Sequence, residues 1–221
     1  IAECSISGCA KEVATERLRA SISSKIRAKD NIRKTCKILL NIWYDADPIL
    51  LTPAKLLFHT VNSDEKLAIH WALMLERYPV AYDLCETVGR LFTYRDVITT
   101  MQIKTKVFEK WGERSTLIHS LSKNMKTLKD IGAIAMPQRP GMYVNTQHTI
   151  DDPYVFGLSL ATILLASKQE YMTWASLATH PALFPFTIGS ISESDMSLVD
   201  LFSLDRMGSD VVIGLNRRQI R

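Results

Sequence analysis

The segment Asp96–Asn145, DVITTMQIKTKVFEKWGERSTLIHSLSKNMKTLKDIGAIAMPQRPGMYVN, decides how the rest of the chain is read. Val97-Ile98 is a brief β-branched run that suits a strand. Thr99 or Thr100 can cap the helix that follows, because a threonine oxygen accepts an amide hydrogen bond that a helix start leaves unmade. Ile103, Val107 and Trp111 recur four apart and fall on one helical face. Gly112 breaks that helix, and GERS connects it tightly to the next. From about Ser115 to Ile131, a turn of about 100° per residue aligns Leu117, Leu121, Met125, Leu128 and Ile131 in an apolar stripe. Thr116, His119, Lys123, Lys126 and Thr127 take the opposite face. Gly132 stands where a left-handed C-terminal cap belongs. Two short extended pieces, Ala133–Met136 and Met142–Val144, then flank the turn PQRPG, with Arg139 near its tip.

This succession resembles the winged helix-turn-helix superfamily over roughly Tyr82–Val144, with Val80–Thr93 as the first helix of the unit. In that superfamily the second helix of the pair enters the DNA major groove and the wing touches the backbone or minor groove. The resemblance implies that Ser115, Thr116, His119, Lys123 and Lys126 face the groove and that Arg139 is the wing contact. The segment WGERSTLIHSLSKNMKTLKDIGAI is also similar to the BrxA family of bacteriophage-exclusion (BREX) proteins. Trp111, Ser115-Thr116, Lys123, Lys126, Leu128 and Gly132 are the matching positions. That family is helical and DNA-binding and is encoded with phage-defence genes.

Charge points the same way. The net charge is +4, yet Lys11–Lys37 alone carries +6 and Arg95–Tyr143 carries +5, which leaves −7 for the remainder. Basic charge gathered into two segments is what a phosphate-facing surface requires. In the first segment Arg33, Lys34 and Lys37 fall off the apolar stripe of Ile32, Cys36, Leu39, Leu40 and Trp43. They suit either a second phosphate contact or a solvated face.

Composition sets the class. At 221 residues, with 47% hydrophobic and 23% charged side chains, the chain can bury a real core and belongs with soluble globular proteins. Val155–Ala166, its longest apolar run, falls short of the roughly 20 residues that cross a bilayer. The amino terminus lacks the charged-then-apolar pattern of a signal peptide. Cys4 and Cys9 have no second close pair to complete a metal site, and Cys36 and Cys85 lie in apolar-periodic segments. Reduced thiols in a cytoplasmic protein, with no metal and no cofactor, are therefore expected.

The flanking regions read more coarsely. Residues 1–10 look loosely structured, and Lys11 to about Lys29 is helix-compatible. Asp45–Pro48 reads as a turn and Thr52-Pro53 as a helix start. Ser63 would cap a helix with Leu67, Trp71, Met74 and Tyr78 on one face, ended by Pro79. His59 and His70 sit within these apolar helices, a setting that favours packed histidines over catalysts. Beyond the wing, Asp151-Asp152-Pro153 opens a strongly apolar helix, and Glu170–Thr179 suggests another. Phe184 and Phe186, beside Pro181 and Pro185, would pack across the helices. Extended runs (186–191, 210–215), a short helix (194–201) and a mobile basic terminus (217–221) complete the chain.

The expected fold is mainly α, with a helical N-terminal region (1–79), a central winged helix (80–148) and a small α+β C-terminal region (149–221). Phosphate-binding glycine loops, nucleophile elbows and HExxH patterns do not occur. The expected function is therefore non-enzymatic binding of double-stranded DNA, in transcription regulation or anti-phage defence. A homodimer would read a two-fold-related pair of half-sites. The competing expectation is a protein-interaction module, in which the winged helix docks other proteins of a defence or regulatory complex.

Overall fold

The fold is that of a computed structural model, which describes residues 1–137 and 139–216. It is mainly helical, with a small α+β region at the carboxy-terminal end. The helices are α1 (Ala2–Ile6), α2 (Lys11–Ser23), α3 (Lys29–Tyr44), α4 (Pro48–Leu57), α5 (Ser63–Arg77) and α6 (Pro79–Phe92). Strand β1 (Val97–Thr99) leads into α7 (Thr100–Trp111) and α8 (Ser115–Asp130), and then β2 (Ile134–Ala135) and β3 (Met142–Asn145). After β4 (His148–Ile150) come α9 (Pro153–Ser167), β5 (Tyr171–Thr173), α10 (Trp174–Ala178) and β6 (Phe186–Ile188). The antiparallel pair β7 (Phe202–Met207) and β8 (Asp210–Leu215) closes the described chain. The terminus 217–221, expected to be mobile, lies outside the described residues.

Helix α5 is the pillar of the core. Its cap is Asn62 rather than the expected Ser63: Asn62 Oδ1 accepts from the amides of Asp64 and Glu65 at 2.9 and 3.0 Å, and Glu65 Oε2 accepts from Asn62 N at 3.1 Å. The apolar surface is also wider than the single face read from sequence. Ala68, Ile69, Trp71, Ala72, Leu73 and Leu75 are all buried, while Leu67, Met74 and Tyr78 are only partly so. Helix α9, apolar all round as a core helix must be, packs against α5. Trp71 donates its indole N–H to Ala182 O at 3.0 Å and meets Phe184 and Phe186 edge-on. Glu65 Oε1 accepts from the amides of Asp151 and Asp152, tying the start of α5 to the entry of α9. At Gly89 the backbones of α6 and the 3-10 turn Pro181–Leu183 approach so closely that a Cβ would lie 1.9 Å from Pro181 O.

Several local expectations need correction. Residues 2–6 form α1, held by the Ser5 hydroxyl bond to Trp43 O and by the burial of Ala2. Helix α2 stops at Ser23, before the expected Lys29. Helix α4 starts at Asp47-Pro48, where the carboxylate caps Ile49 N at 2.9 Å, and Pro53 lies inside it. The stretch expected as one helix over 170–179 is split, because Tyr171–Thr173 pairs with β8 before α10 begins. Strand β6 falls within the expected extended run 186–191, but β4, its parallel pairing with β6, and strand β7 have no counterpart in the sequence reading.

Candidate nucleic-acid interface

The quoted segment folds as a compact unit with α6. Strand β3 is the middle of an antiparallel sheet ordered β1-β3-β2, with Ile98 opposite Tyr143 and Ala135 opposite Val144. Of the two candidate caps, Thr99 is the one used, in a reciprocal box with Gln102. Ile103 and Val107 bury one face of α7 against α6. Trp111, the third member of that stripe, is 37% exposed because its indole turns to Asp83, donating to Oδ2 at 2.8 Å. Lys110 donates to the other oxygen at 2.6 Å, which raises the pKa of its ammonium. The buried Asp83 carboxylate thus anchors the end of α7 to α6.

Helix α8 buries Leu117, Leu121, Met125 and Leu128. Ile131, expected in that stripe, lies past the helix end and is 36% exposed. Gly132 then adopts φ +80°, the left-handed region an α-helix C-terminus favours. Its carbonyl accepts from the Thr146 hydroxyl and from His148 Nε2, the latter at 2.9 Å. The end of α8 is thereby fixed to the strand that follows the wing.

The outward face holds the residues expected there. Ser115, Thr116, His119, Lys123 and Lys126 are all exposed along α8. Ser115, Thr116, His119 and Lys123 have no side-chain hydrogen bond or ion pair among the described residues. Lys126 is engaged differently, in an ion pair with Asp130 one turn on. No side chain caps the start of α8, so its leading amides and the positive end of its dipole face outward. Arg139 is exposed in the turn between β2 and β3.

A groove of 230 Å³ runs along one flank of α8. Lys104 of α7 and Lys126 and Lys129 of α8 line it, over a floor of Leu121 and Met125, with Met136 and Tyr143 from the wing side. Thr100 closes one end, its amide donating to Gly141 O at 2.8 Å and its hydroxyl lying 3.4 Å from Tyr143 Oη. Sequence reading missed Lys104 and Lys129. Their signal was the pairing of β1 with β3, which brings the start of α7 beside the wing.

Arg33, Lys34 and Lys37 lie elsewhere, exposed on α3, which packs on α2 and α5. Arg33 sits 3.7 Å from Asp30, and the two lysines have no ion pair among the described residues. His59 is exposed beside Glu3, whereas His70 is largely buried and its Nδ1 accepts from Trp43 Nε1 at 2.9 Å. Burial lowers the His70 pKa to about 4. Cys36 and Cys85 are buried thiols, as their setting suggested, and burial pushes Cys85 far up. Among the described residues no three His, Cys, Asp or Glu gather as a metal site, and no helix is long and apolar enough to cross a membrane. Comparison with family models, curated proteins and solved structures finds no match to this chain.

Proposed function

We propose that the unit from Pro79 to Asn145 is a winged helix that binds double-stranded DNA, with α8 in the major groove and the turn around Arg139 against the backbone. One observation carries the reading: the outward face of α8 keeps Thr116, His119 and Lys123 unengaged beside a groove that gathers three lysines. Ser115, Thr116 and His119 have the reach and the polar atoms to read base edges. Lys123, Lys126, the groove lysines and Arg139 set affinity through phosphates, without sequence choice. Lys126 would exchange Asp130 for a phosphate, a trade between two solvent-exposed partners that costs little. Binding DNA without chemistry on it fits a role in transcription regulation or defence against phage.

The test is duplex binding across a salt series, wild type beside Lys123→Ala/Lys126→Ala. Each lost phosphate contact lowers the salt slope by about 0.9, so the variant's slope should fall by about 2. Wild type that fails to bind duplex at low salt would sink this reading and point to a protein docking face instead.

A further inference from the structure

The hairpin of α2 and α3 is strongly basic. Between Arg17 and Lys37 stand eight Lys or Arg and one acid, Asp30. Among the described residues Asp30 pairs only with Arg33, at 3.7 Å, with both side chains in solvent. Arg19, Lys25, Arg27, Lys29, Lys34 and Lys37 have no ion pair among the described residues. Like charges held this close repel one another, and an anion laid among them relieves that repulsion.

The helices pack through a small apolar cluster of Ala14, Cys36 and Leu40, which leaves their basic flanks outside. Between them opens a cleft of 420 Å³, lined by Arg19, Ala20 and Ser23 of α2 and by Lys29, Ile32 and Arg33 of α3. The Ser23 hydroxyl donates back to Ala20 O at 2.9 Å, so the side-chain donors the cleft holds for a ligand are its three cations. Guanidinium forks match phosphate oxygens in bidentate pairs. Ala20, Ile32 and the aliphatic stems of the cations form its walls, and the lining holds none of the aromatic anchors that protein partners favour.

We propose that this cleft seats a phosphate of the DNA backbone, making the α2–α3 hairpin a second DNA contact of the chain. The proposal rests on the DNA-binding reading above but not on α8 being the element that binds. It is tested on the full chain with a labelled duplex over a salt series, using Arg19→Gln/Arg33→Gln, Lys123→Ala/Lys126→Ala and the quadruple variant. The hairpin variant should bind about tenfold more weakly, with a slope lower by about 0.9, the share of one phosphate, and the same loss on unrelated sequences. The losses of the two doubles should multiply in the quadruple variant. Arg19→Lys/Arg33→Lys should recover the slope, because charge returns, but only part of the affinity, because the forks do not. Unchanged helical circular dichroism and melting exclude misfolding as the cause. A loss in the hairpin variant with none in the α8 variant would keep the cleft and remove α8 from the reading. The reverse pattern would overturn the cleft. An unchanged slope on DNA, with lost binding to phosphatidylglycerol vesicles, would overturn it in favour of a lipid surface.

Discussion

His148 sits between Asp64 and the end of α8, with Nδ1 3.1 Å from Asp64 Oδ1 and Nε2 2.9 Å from Gly132 O. Both partners are acceptors, one a carboxylate and one a carbonyl, and one ring nitrogen faces each. The ring therefore links the first turn of the central pillar α5 to the residue that terminates the outward-facing helix. Asp64 takes a further bond from Thr149 N at 3.1 Å, and its carboxyl is held below its ordinary value chiefly by the bond from His148.

Replacing His148 with Gln removes one of these two bonds and should cost about 1–2 kcal/mol, read as a lower urea midpoint. The sign of the acid limb follows from Asp64. A carboxyl lowered by folding stabilises the native state above its unfolded pKa, near 3.8, and that share is lost as pH falls through the lower folded value. The variant has less to lose there, so its stability should fall less steeply below pH 3.8 than that of the wild type.

His70 has a different setting. Neutral and largely buried, it accepts from Trp43, and protonation would abolish that acceptor. Its pKa falls from 6.5 to about 4 on folding, so between these values the unfolded chain binds a proton that the native state does not. Stability should drop by about 3 kcal/mol as pH goes from 6.5 to 4, and His70→Gln should remove most of that slope. Chemical denaturation at half-unit pH steps reads it directly. Equal slopes in the two proteins would show that the ring is solvated in the native state.

Asp83 should matter more to stability than its surface ion pair suggests, since two donors of α7 converge on it. Asp83→Ala leaves the Trp111 indole without its acceptor and should cost about 2 kcal/mol, lowering Tm by about 5 °C. Lys110→Met takes one donor from the buried carboxylate but leaves it the Trp111 indole, and should cost less than Asp83→Ala.

The sequence was most legible where local chemistry and the tertiary role agree. From Thr99 to Gly132 the cap, the break at Gly112 and the apolar spacing each name the element that forms, and the exposed face of α8 follows from the same spacing. Elsewhere distant partners decide. His148–Ile150 is a strand only because Phe186–Ile188 lies beside it, and no periodicity within three residues could announce that. Asp47-Pro48 and Thr52-Pro53 are equally good starts locally, and the helix takes the earlier one. Leu73 and Ile69 are buried although they lie off the face that spacing marks on α5, which packs against α9, a helix far along the chain. The groove lysines were hidden for a related reason: Lys104 and Lys129 belong to different helices and meet only through the wing.

The pairing of α5 with α9 also imposes an order on synthesis. About 75 residues separate the end of the first from the start of the second. At roughly 5–20 residues per second, several seconds pass on the ribosome before the pillar's apolar sides can be covered. In that interval Trp71 has no Ala182 carbonyl to bond and Glu65 has no second set of amides to collect. The pillar's apolar sides thus stay uncovered throughout the time the outward-facing helix is being made.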